Sequence, residues 1–314
     1  MSARVPDSLI CLGLGYSALF LVERLLAAGQ TQVAGTVRSQ AKASALAAAG
    51  IDVYLWQGEI PSPSRPPSPS QSPSQSPAPI PVLPRTERSV FLISTPPDAD
   101  GCPAARAFGH LAGGRPVIYL STTGVYGDRA GAWIDETSAP TPTSARGERR
   151  LLAEQQWRAV TEHLAIVRLP GIYGPGRSVL ERLKAQQARR IVKSGLVFSR
   201  IHVADLAAGL HAILDAGVPR GVYHFTDNEP APPEAPIIFG AECLGIAPPP
   251  REPFDHASMS PMALSFYSEC KRVSSQHTRD RLGWVPRYPT YREGLMAILD
   301  GGDPQPFGMG QCFE

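Results

Sequence analysis

A glycine-rich turn near the start of the chain is the feature that most constrains its fold. The apolar run 9–12 predicts a short buried strand, and Gly13, Gly15 and Ala18 follow it with the spacing G-x-G-x-x-A. Gly13 permits a tight turn, Gly15 lets the backbone approach a pyrophosphate, and Ala18 lets the next helix pack closely against the strand. The start of that helix, Tyr16 and Ser17, offers free N–H groups to phosphate oxygens. The pattern predicts a dinucleotide site; the alternative is a turn whose small residues serve packing only.

Strands and helices alternate through the first 170 residues. Further strands are predicted at 32–37, 51–56, 89–94, 116–121 and 164–169, with helices at 41–49, 104–111 and 144–162 between them. This alternation is typical of an α/β fold with a doubly wound parallel (Rossmann) sheet.

The rest of the chain has a mixed pattern that predicts a smaller C-terminal substrate lobe. A basic helix is expected at 179–190, a helix at 204–216, a strand at 221–225, and the last helices near 274–282 and 291–299. We therefore expect an NAD(P)-binding Rossmann domain over 1–170, a substrate lobe interleaved with its sheet over 171–300, and a tail over 301–314.

The segment 61–84 differs in composition from everything around it. It consists almost entirely of Pro, Ser and Gln, so it cannot bury enough apolar surface to offset the entropy of ordering. We expect a disordered insert in the place where a crossover helix usually lies. A tolerated surface insertion is the simpler explanation, and a partner-binding tract is the alternative.

Composition excludes several classes of protein. The net charge of +2 comes without a long basic block, which argues against a partner such as nucleic acid. The five cysteines are scattered and show no metal-ligand spacing, so we expect free thiols in a reducing compartment and no metal. The N-terminus resembles a first strand more than a signal peptide, and no apolar run is long enough for a bilayer. We expect a cytoplasmic protein that does not associate with membranes and that acts on a small molecule. A homodimer is one possible oligomeric state.

The charges after the second strand bear on the cofactor. An acidic residue there binds the ribose 2′-hydroxyl of NAD, whereas an Arg accepts the 2′-phosphate of NADP. The chain has no Asp or Glu between Gln30 and Gly50, but it has Arg38, with Lys42 one helical turn later. This charge pattern favours NADP, with NAD as the alternative; both cations would otherwise be solvated surface residues.

Five motifs in order resemble the extended short-chain dehydrogenases/reductases, the group of NAD-dependent epimerases and dehydratases. They are the turn at 13–18, STTGVYG at 121–127, RLPGIYGPG at 168–176, IHVADLAAGL at 201–210 and GVYHFTD at 221–227. The segment 271–295 is similar to the closing helices of the family. The resemblance covers nearly the whole chain apart from the insert and the tail.

The resemblance implies roles for individual residues. Thr122 matches the catalytic Ser/Thr whose hydroxyl bonds the reacting oxygen of the substrate; a turn-capping role is the alternative. Residues expected beside the cofactor are Ser94, Thr95, Ser121, Pro170, Ile172 and Tyr173.

One departure from the family pattern concerns catalysis. The Tyr-x-x-x-Lys motif should open the long helix, but its positions hold Arg146 and Arg150. No Tyr lies between Tyr126 and Tyr173, and no Lys lies between Lys42 and Lys184. Redox catalysis in this family uses a phenol that exchanges a proton near neutral pH, and a guanidinium cannot replace it because it stays protonated. Arg150 retains a role in holding a ribose hydroxyl or a phosphate. The chain thus resembles an atypical branch that lacks the Tyr/Lys pair.

Two functions remain open at this point. The first is an oxidoreductase or epimerase-type enzyme, with Thr122 polarising the substrate and Tyr126 as the substitute proton donor; a ring packed against its loop is the alternative for Tyr126. Arg177 and Arg200 would then bind an anionic substrate such as a nucleotide sugar. The second is a non-catalytic NAD(P)-binding sensor or interaction protein, which the missing Tyr/Lys pair favours.

Overall fold

The structure is a computed structural model that describes residues 6–29, 32–59, 83, 86–254 and 259–308. Within these ranges the strands are β1 (Ser8–Leu12), β2 (Gln32–Val37), β3 (Asp52–Leu55), β4 (Ser89–Ile93), β5 (Val117–Thr122), β6 (Trp133–Ile134), β7 (Leu164–Leu169), β8 (Gly171–Tyr173), β9 (Arg190–Val192), β10 (Arg200–His202), β11 (Gly221–Tyr223), β12 (Arg251–Pro253) and β13 (Arg272–Val273). The helices are α1 (Tyr16–Ala27), α2 (Gln40–Ala48), α3 (Pro103–Ala112), α4 (Ala145–Val160), α5 (Val179–Lys184), α6 (Val203–Asp215), α7 (Ala235–Cys243), α8 (Pro261–Tyr267), α9 (Gln276–Leu282) and α10 (Tyr291–Leu299).

One parallel sheet organises the described part of the chain. Its seven strands lie in the order β11-β7-β5-β4-β1-β2-β3, and every neighbouring pair is parallel. The strand order reverses at β1, since β2 lies on one side of it and β4 on the other. In open sheets of this kind, ligands bind outside the carboxyl ends of the strands at such a reversal. The predicted doubly wound α/β fold is confirmed.

Both faces of the sheet are covered, which explains why its central strands are apolar throughout. Leu9 and Cys11 of β1 belong to a core shared with α1, α2 and α6. Ile10 and Leu12 point to the other face and belong to a core shared with α3 and α4. Because successive side chains of a strand face opposite ways, a strand between two helical layers must be apolar at every position.

The C-terminal lobe is less regular than its sequence pattern predicts. The basic helix expected over 179–190 is wrong in its second half, because α5 ends at Lys184 and Arg190 already belongs to β9. Gln186 has a φ of +55°, a left-handed conformation that a continuing α-helix does not allow. Leu180, Tyr291 and Leu295 form part of a separate small core of this lobe, while β11 joins the main sheet beside β7.

The predicted insert and tail fall mostly outside the described residues. Within 61–84 the structure describes Leu83 alone, and this side chain is buried in the core beside α3 and α4. Of the tail, residues 301–308 are described. The backbone N–H of Phe307 donates to Glu23 Oε1 of α1, so this part of the tail contacts the Rossmann sheet's helical layer. In the described ranges, no helix is long and apolar enough to cross a lipid bilayer.

His202 caps the N-terminus of α6 from a fully buried position. Its Nδ1 accepts the backbone N–H of Ala204 at 3.2 Å, so the neutral ring carries its proton on Nε2. The rings of Tyr173 and Tyr288 pack edge-on against it. Burial lowers the pKa of His202 to about 4, with Asp303 opposing and Arg287 adding to this shift.

This capping predicts an acid-sensitive fold. In the unfolded chain His202 binds a proton below its ordinary pKa, whereas the folded chain keeps the ring neutral until about pH 4. The free energy of unfolding is therefore unaffected by His202 above the ordinary pKa of histidine. It falls by about 3 kcal/mol in total as the pH drops from that value towards 4. His202→Asn keeps a capping oxygen that does not titrate. Urea unfolding at neutral and acidic pH should show a smaller acid loss in this variant than in the wild type; equal losses would contradict the assignment.

Candidate functional site

A cleft of about 670 Å³ lies at the carboxyl ends of the central strands. Its walls come from the turn after β1, from the ends of β4, β5 and β7, from the first turns of α4, and from α8 with the segment that follows it. The lining includes Gly15, Tyr16, Ser17, Ser94, Ser121, Thr122, Arg150, Pro170, Ile172, Arg177 and Arg200 among the expected site residues. Gly13, Ala18, Arg38, Thr95, Tyr126 and Tyr173 are not part of this lining.

The glycine turn is held against the end of β4. Gly13 has a φ of +99°, which favours glycine, and a Cβ atom there would lie 2.9 Å from Ser94 Oγ. The Ser94 hydroxyl donates to Gly13 O, and Thr95 Oγ1 donates to Leu12 O at 2.8 Å. Gly13 N in turn donates to Thr36 Oγ1 at 2.9 Å. Ser94 and Thr95 therefore fasten the turn, and only Ser94 also lines the cleft.

Gly15 and the first turn of α1 are open for an anion. Gly15 has an ordinary negative φ, and a Cβ there would meet only Ser94 Oγ, at 3.7 Å. Nothing in the protein itself thus requires a glycine at this position. The N–H groups in the first turn of a helix lack intrahelical acceptors, and among the described residues no side-chain cap hydrogen bond is formed at the N-terminus of α1. Ala18 is fully buried and lets the helix lie close to the sheet. This arrangement fits a pyrophosphate.

Arg38 lies at the end of β2, at the other side of the glycine turn. The residue is exposed, and its guanidinium has no hydrogen bond or ion pair among the described residues. Gln57 Nε2 donates to its backbone carbonyl at 2.6 Å, which fixes the backbone of the loop. Ser39 caps the N-terminus of α2. Arg38 therefore lies outside the cleft lining, with an exposed side chain.

Thr122 and Ser121 end β5 inside the cleft. Thr122 Oγ1 accepts the backbone N–H of Gly124 at 3.2 Å, so the side chain does cap the following turn. Its hydroxyl hydrogen remains for another acceptor, and the residue lines the cleft. Ser121 Oγ donates to Glu154 Oε1 at 2.5 Å and is thereby committed to the protein interior.

A buried ion pair lies directly behind Ser121. Glu154 of α4 and Arg168 of β7 form a bidentate pair, with Nε–Oε1 at 3.0 Å and Nη2–Oε2 at 2.7 Å. Both side chains are almost completely buried. Because one partner lies on the helix and the other on the sheet, the pair sets how α4 lies on the floor of the cleft. No pattern in the sequence marks this pair as part of the site.

Tyr126 belongs to this buried network and does not reach the cleft. Its hydroxyl accepts from Arg168 Nη1 at 2.9 Å and lies 2.7 Å from His224 Nε2. His224 Nδ1 donates to Ser274 O, so Nε2 is free to accept the tyrosine proton. Burial raises the pKa of Tyr126 to about 12. The expected role of Tyr126 as a catalytic proton donor is therefore corrected: its hydroxyl is buried and already bonded.

Tyr173 is likewise directed away from the cleft. Its hydroxyl approaches Thr290 O at 3.5 Å, its ring packs against His202, and it adjoins the small core of the C-terminal lobe. Burial raises its pKa. The sequence predicts that the backbone of Tyr173, not its side chain, borders the nicotinamide, and this stays a prediction. The neighbouring Pro170 and Ile172 line the cleft.

Several arginines meet in the cleft. Arg150 Nη1 donates to Leu120 O at 2.9 Å and to Tyr119 Oη at 3.2 Å, and its Nε is buried without a partner among the described residues. Arg177 lies over the ring of Tyr16, whose hydroxyl donates to Pro175 O. Arg200 is largely used internally, because Nη1 donates to Phe198 O at 2.8 Å and to Ala231 O at 3.2 Å.

The cleft also contains residues that sequence reasoning missed. They come mainly from α8, from the segment after it and from the start of α4: Ser144, Phe266, Glu269 and Lys271. Lys271 Nζ donates to Glu269 Oε2 at 2.7 Å and to Gly127 O at 2.6 Å, and Ser144 Oγ donates to Glu269 Oε1 at 3.1 Å. No local pattern in 261–271 marks these residues as part of a site.

Comparison with known proteins agrees with this geometry. Residues 105–232 match the model of the RmlD substrate binding domain. A conserved protein of unknown function from Silicibacter pomeroyi DSS has a solved structure that is 41% identical and superposes with a TM-score of 0.79, covering 94% of this chain and 99% of that one. The chain belongs to the NAD-dependent epimerase/dehydratase family of extended short-chain dehydrogenases/reductases.

More distant relatives share the fold of this family member. UDP-glucuronic acid 4-epimerase from Bacillus cereus, solved with NAD, is 15% identical with a TM-score of 0.66, covering 93% of this chain and 96% of that one. A human epimerase family protein solved with NADPH is 17% identical with a TM-score of 0.67, covering 93% and 99%. A curated relative, the 3-diazoavenalumate denitrifying reductase of a Streptomyces species, is 28% identical over 161 residues. That match spans 46% of this chain and only 51% of the relative.

The buried pair predicts a large loss of stability when its charge balance is broken. Glu154→Gln leaves the Arg168 guanidinium buried without a counter-charge, which should cost about 3–5 kcal/mol of unfolding free energy. Glu148→Gln, an exposed change on the same helix, should cost less than about 1 kcal/mol. Denaturant unfolding of both variants measures the difference. Equal, small losses would show that the pair does not hold α4 to the sheet, whereas adding Arg168→Met should recover part of the loss.

Proposed function

We propose that this chain is an NADP-dependent oxidoreductase or epimerase-type enzyme acting on a small anionic substrate. The observation that carries the proposal is the continuity of the cleft. It brings together the glycine turn, the Thr122 hydroxyl and several arginines. An open phosphate cradle and an excess of positive charge in the same cleft support binding of a nicotinamide cofactor and of an anion side by side.

The residues present fit the cofactor. The first turn of α1 with Gly13 and Gly15 would hold the pyrophosphate, since its N–H groups lack a cap. The unpartnered Nε of Arg150 fits a ribose hydroxyl, and Pro170 and Ile172 offer backbone and apolar surface where the family borders the nicotinamide. When bound, the cofactor supplies or accepts a hydride.

NADP is the form that the charges favour. The end of β2 offers the exposed Arg38 guanidinium, without an internal partner among the described residues, beside the N-terminus of α2. A dianionic 2′-phosphate would be bound by Arg38 and favoured by the helix dipole, whereas the 2′-hydroxyl of NAD needs an acceptor that this segment does not provide. Solved structures of distant relatives contain NAD in one case and NADPH in another, so the preference rests on the charges of this chain.

Arg38→Ala tests this preference. Loss of a charge-assisted contact should weaken NADP binding by about 10- to 100-fold and leave NAD binding nearly unchanged. Arg158→Ala, an exposed change at the far end of α4, is the matched control. Calorimetric titration of both cofactors gives the two dissociation constants, and an unchanged NADP/NAD ratio in Arg38→Ala would remove the role assigned to Arg38.

Thr122 is the residue we assign to substrate activation. Its Oγ1 accepts from Gly124, which orients the hydroxyl and leaves its hydrogen for the reacting oxygen of the substrate. A donor positioned in this way would stabilise negative charge on the reacting oxygen of the substrate. With neither a phenol at position 146 nor Tyr126 in the cleft, Thr122 provides hydrogen bonding and orientation, not a group with a pKa near neutrality.

Turnover tests the enzyme assignment directly. The full chain with NADPH should reduce one or more members of a panel of aldehydes, ketones and nucleotide sugars, followed by loss of NADPH absorbance. Thr122→Val should lower kcat by about 10²- to 10³-fold without changing the dissociation constant of NADPH. Unaltered kcat in the variant would place Thr122 among the capping residues only.

A non-catalytic sensor is the second candidate, favoured by the Arg residues at the Tyr and Lys positions and by the buried Tyr126. In that case NADPH binds tightly, no member of the panel is turned over, and the bound cofactor changes a partner surface. Affinity capture with and without NADPH tests it. Identical partner sets in both conditions, together with turnover, would rule the sensor out.

A further inference from the structure

Arg146 lines the cleft, and its guanidinium forms no hydrogen bond within the described part of the protein. It lies in the first turn of α4, and its Cζ stands 4.5 Å from the centroid of the Phe266 ring. No hydrogen bond or ion pair engages this side chain among the described residues. This cation–π contact engages no conventional hydrogen-bond acceptor, so the N–H groups of the guanidinium remain able to donate to a ligand.

The charges around Arg146 are not balanced by the protein. Among the lining residues, Arg146, Arg150, Arg177, Arg200 and Lys271 are cationic, while Glu269 is the one carboxylate. Both oxygens of Glu269 are already bonded, one by Lys271 and one by Ser144. Desolvation in the cleft, with the nearby charges of Arg150 and Arg177, lowers the pKa of Arg146 against the opposing effect of Glu269. An anion placed here would relieve the repulsion between these cations.

The same part of the cleft has an aromatic wall. Phe266 is 46% exposed although it is a large apolar side chain, and Phe198 also lines the cleft. Phe198 packs edge-on against Tyr267 at 5.8 Å, which fixes this wall. Exposed aromatic surface inside a cleft, next to a few polar groups, is typical of a site for an apolar or aromatic ligand.

We infer that Arg146, Phe266 and Phe198 form a binding subsite for the carboxylate and ring of a planar aromatic carboxylate substrate. The Arg146 fork binds the two carboxylate oxygens, and the ring packs on the phenylalanine wall. The inference rests on the proposed function in so far as this ligand is the substrate. At the position where the family has its catalytic phenol, this chain thus has a residue that binds the substrate's charge.

Four small ligands distinguish the contribution of the carboxylate charge to binding from that of the planar ring. Benzoate carries both features, benzamide lacks the charge, cyclohexanecarboxylate lacks the planar ring, and UDP represents a nucleotide-sugar substrate. Each is titrated by calorimetry at fixed ionic strength into the full chain, with and without saturating NADP. Benzoate should bind at least about tenfold more tightly than benzamide, because a charge-assisted pair is lost in the amide. It should also bind more tightly than cyclohexanecarboxylate.

Variants locate the binding. Arg146→Gln should weaken benzoate by about 10- to 100-fold and benzamide hardly at all. Phe266→Ala should weaken benzoate by about 3- to 10-fold. Arg149→Gln, an exposed change on the same helix outside the cleft lining, is the matched control and should bind benzoate like the wild type. Thermal unfolding of each variant establishes that it is folded.

The outcomes distinguish this inference from the proposed function. If NADP binds but benzoate does not, or if Arg146→Gln and Arg149→Gln behave alike, the inference is wrong and the cofactor assignment stands. If benzoate binds in an Arg146-dependent way while NADP does not bind, the subsite stands and the proposed function fails. If UDP binds more tightly than benzoate, displaces it and depends on Arg146, the subsite serves a nucleotide and the inference is overturned.

Discussion

The close approach of the glycine turn to the end of β4 is the constraint on which the rest of the site depends. Gly13 adopts a φ of +99° with Ser94 Oγ and Thr95 against it, so a side chain at this position would be strained and crowded. The hydroxyls of Ser94, Thr95 and Thr36 bond the turn to its neighbours. As a result the uncapped N-terminus of α1 is directed at the reversal of the strand order, where an anion can bind.

The floor of the cleft depends on a second, fully buried set of polar contacts. Glu154 and Arg168 join α4 to β7, Ser121 bonds the same carboxylate, and Arg168 extends the network to Tyr126. A buried charge is tolerated only when it is paired and hydrogen-bonded. The network therefore stabilises one arrangement of α4 on the sheet, and through it the placement of Arg146 and Arg150. It also explains why Tyr126, with a buried hydroxyl, is a structural residue.

The departure from the family pattern changes the electrostatics of the cleft. A phenol and an ammonium would contribute one positive charge near neutral pH, whereas Arg146 and Arg150 contribute two. Arg150 is fastened to β5 by Leu120 O and Tyr119, while Arg146 is stacked on Phe266 with its donors free. In our proposals these two positions therefore differ in role: Arg150 contacts the cofactor and Arg146 binds an anionic ligand.

The sequence by itself determined the sheet, the glycine turn and the positions of three site residues, because these follow from local periodicity and from motif spacing. Thr122 ends β5, Arg150 lies in the second turn of α4, and Arg177 lies just before α5. Only the tertiary structure decided which side chains reach the cleft. Tyr126 is turned inward by His224, which lies 98 positions along the chain, and Phe266 reaches Arg146 from the far C-terminal part. The apolar and basic pattern that predicts a helix continues to residue 190, but α5 ends at Lys184, and the left-handed backbone of Gln186 prevents the helix from continuing. Contacts between distant segments, and the burial they impose, leave no periodic trace in the sequence, so they could not be inferred from it.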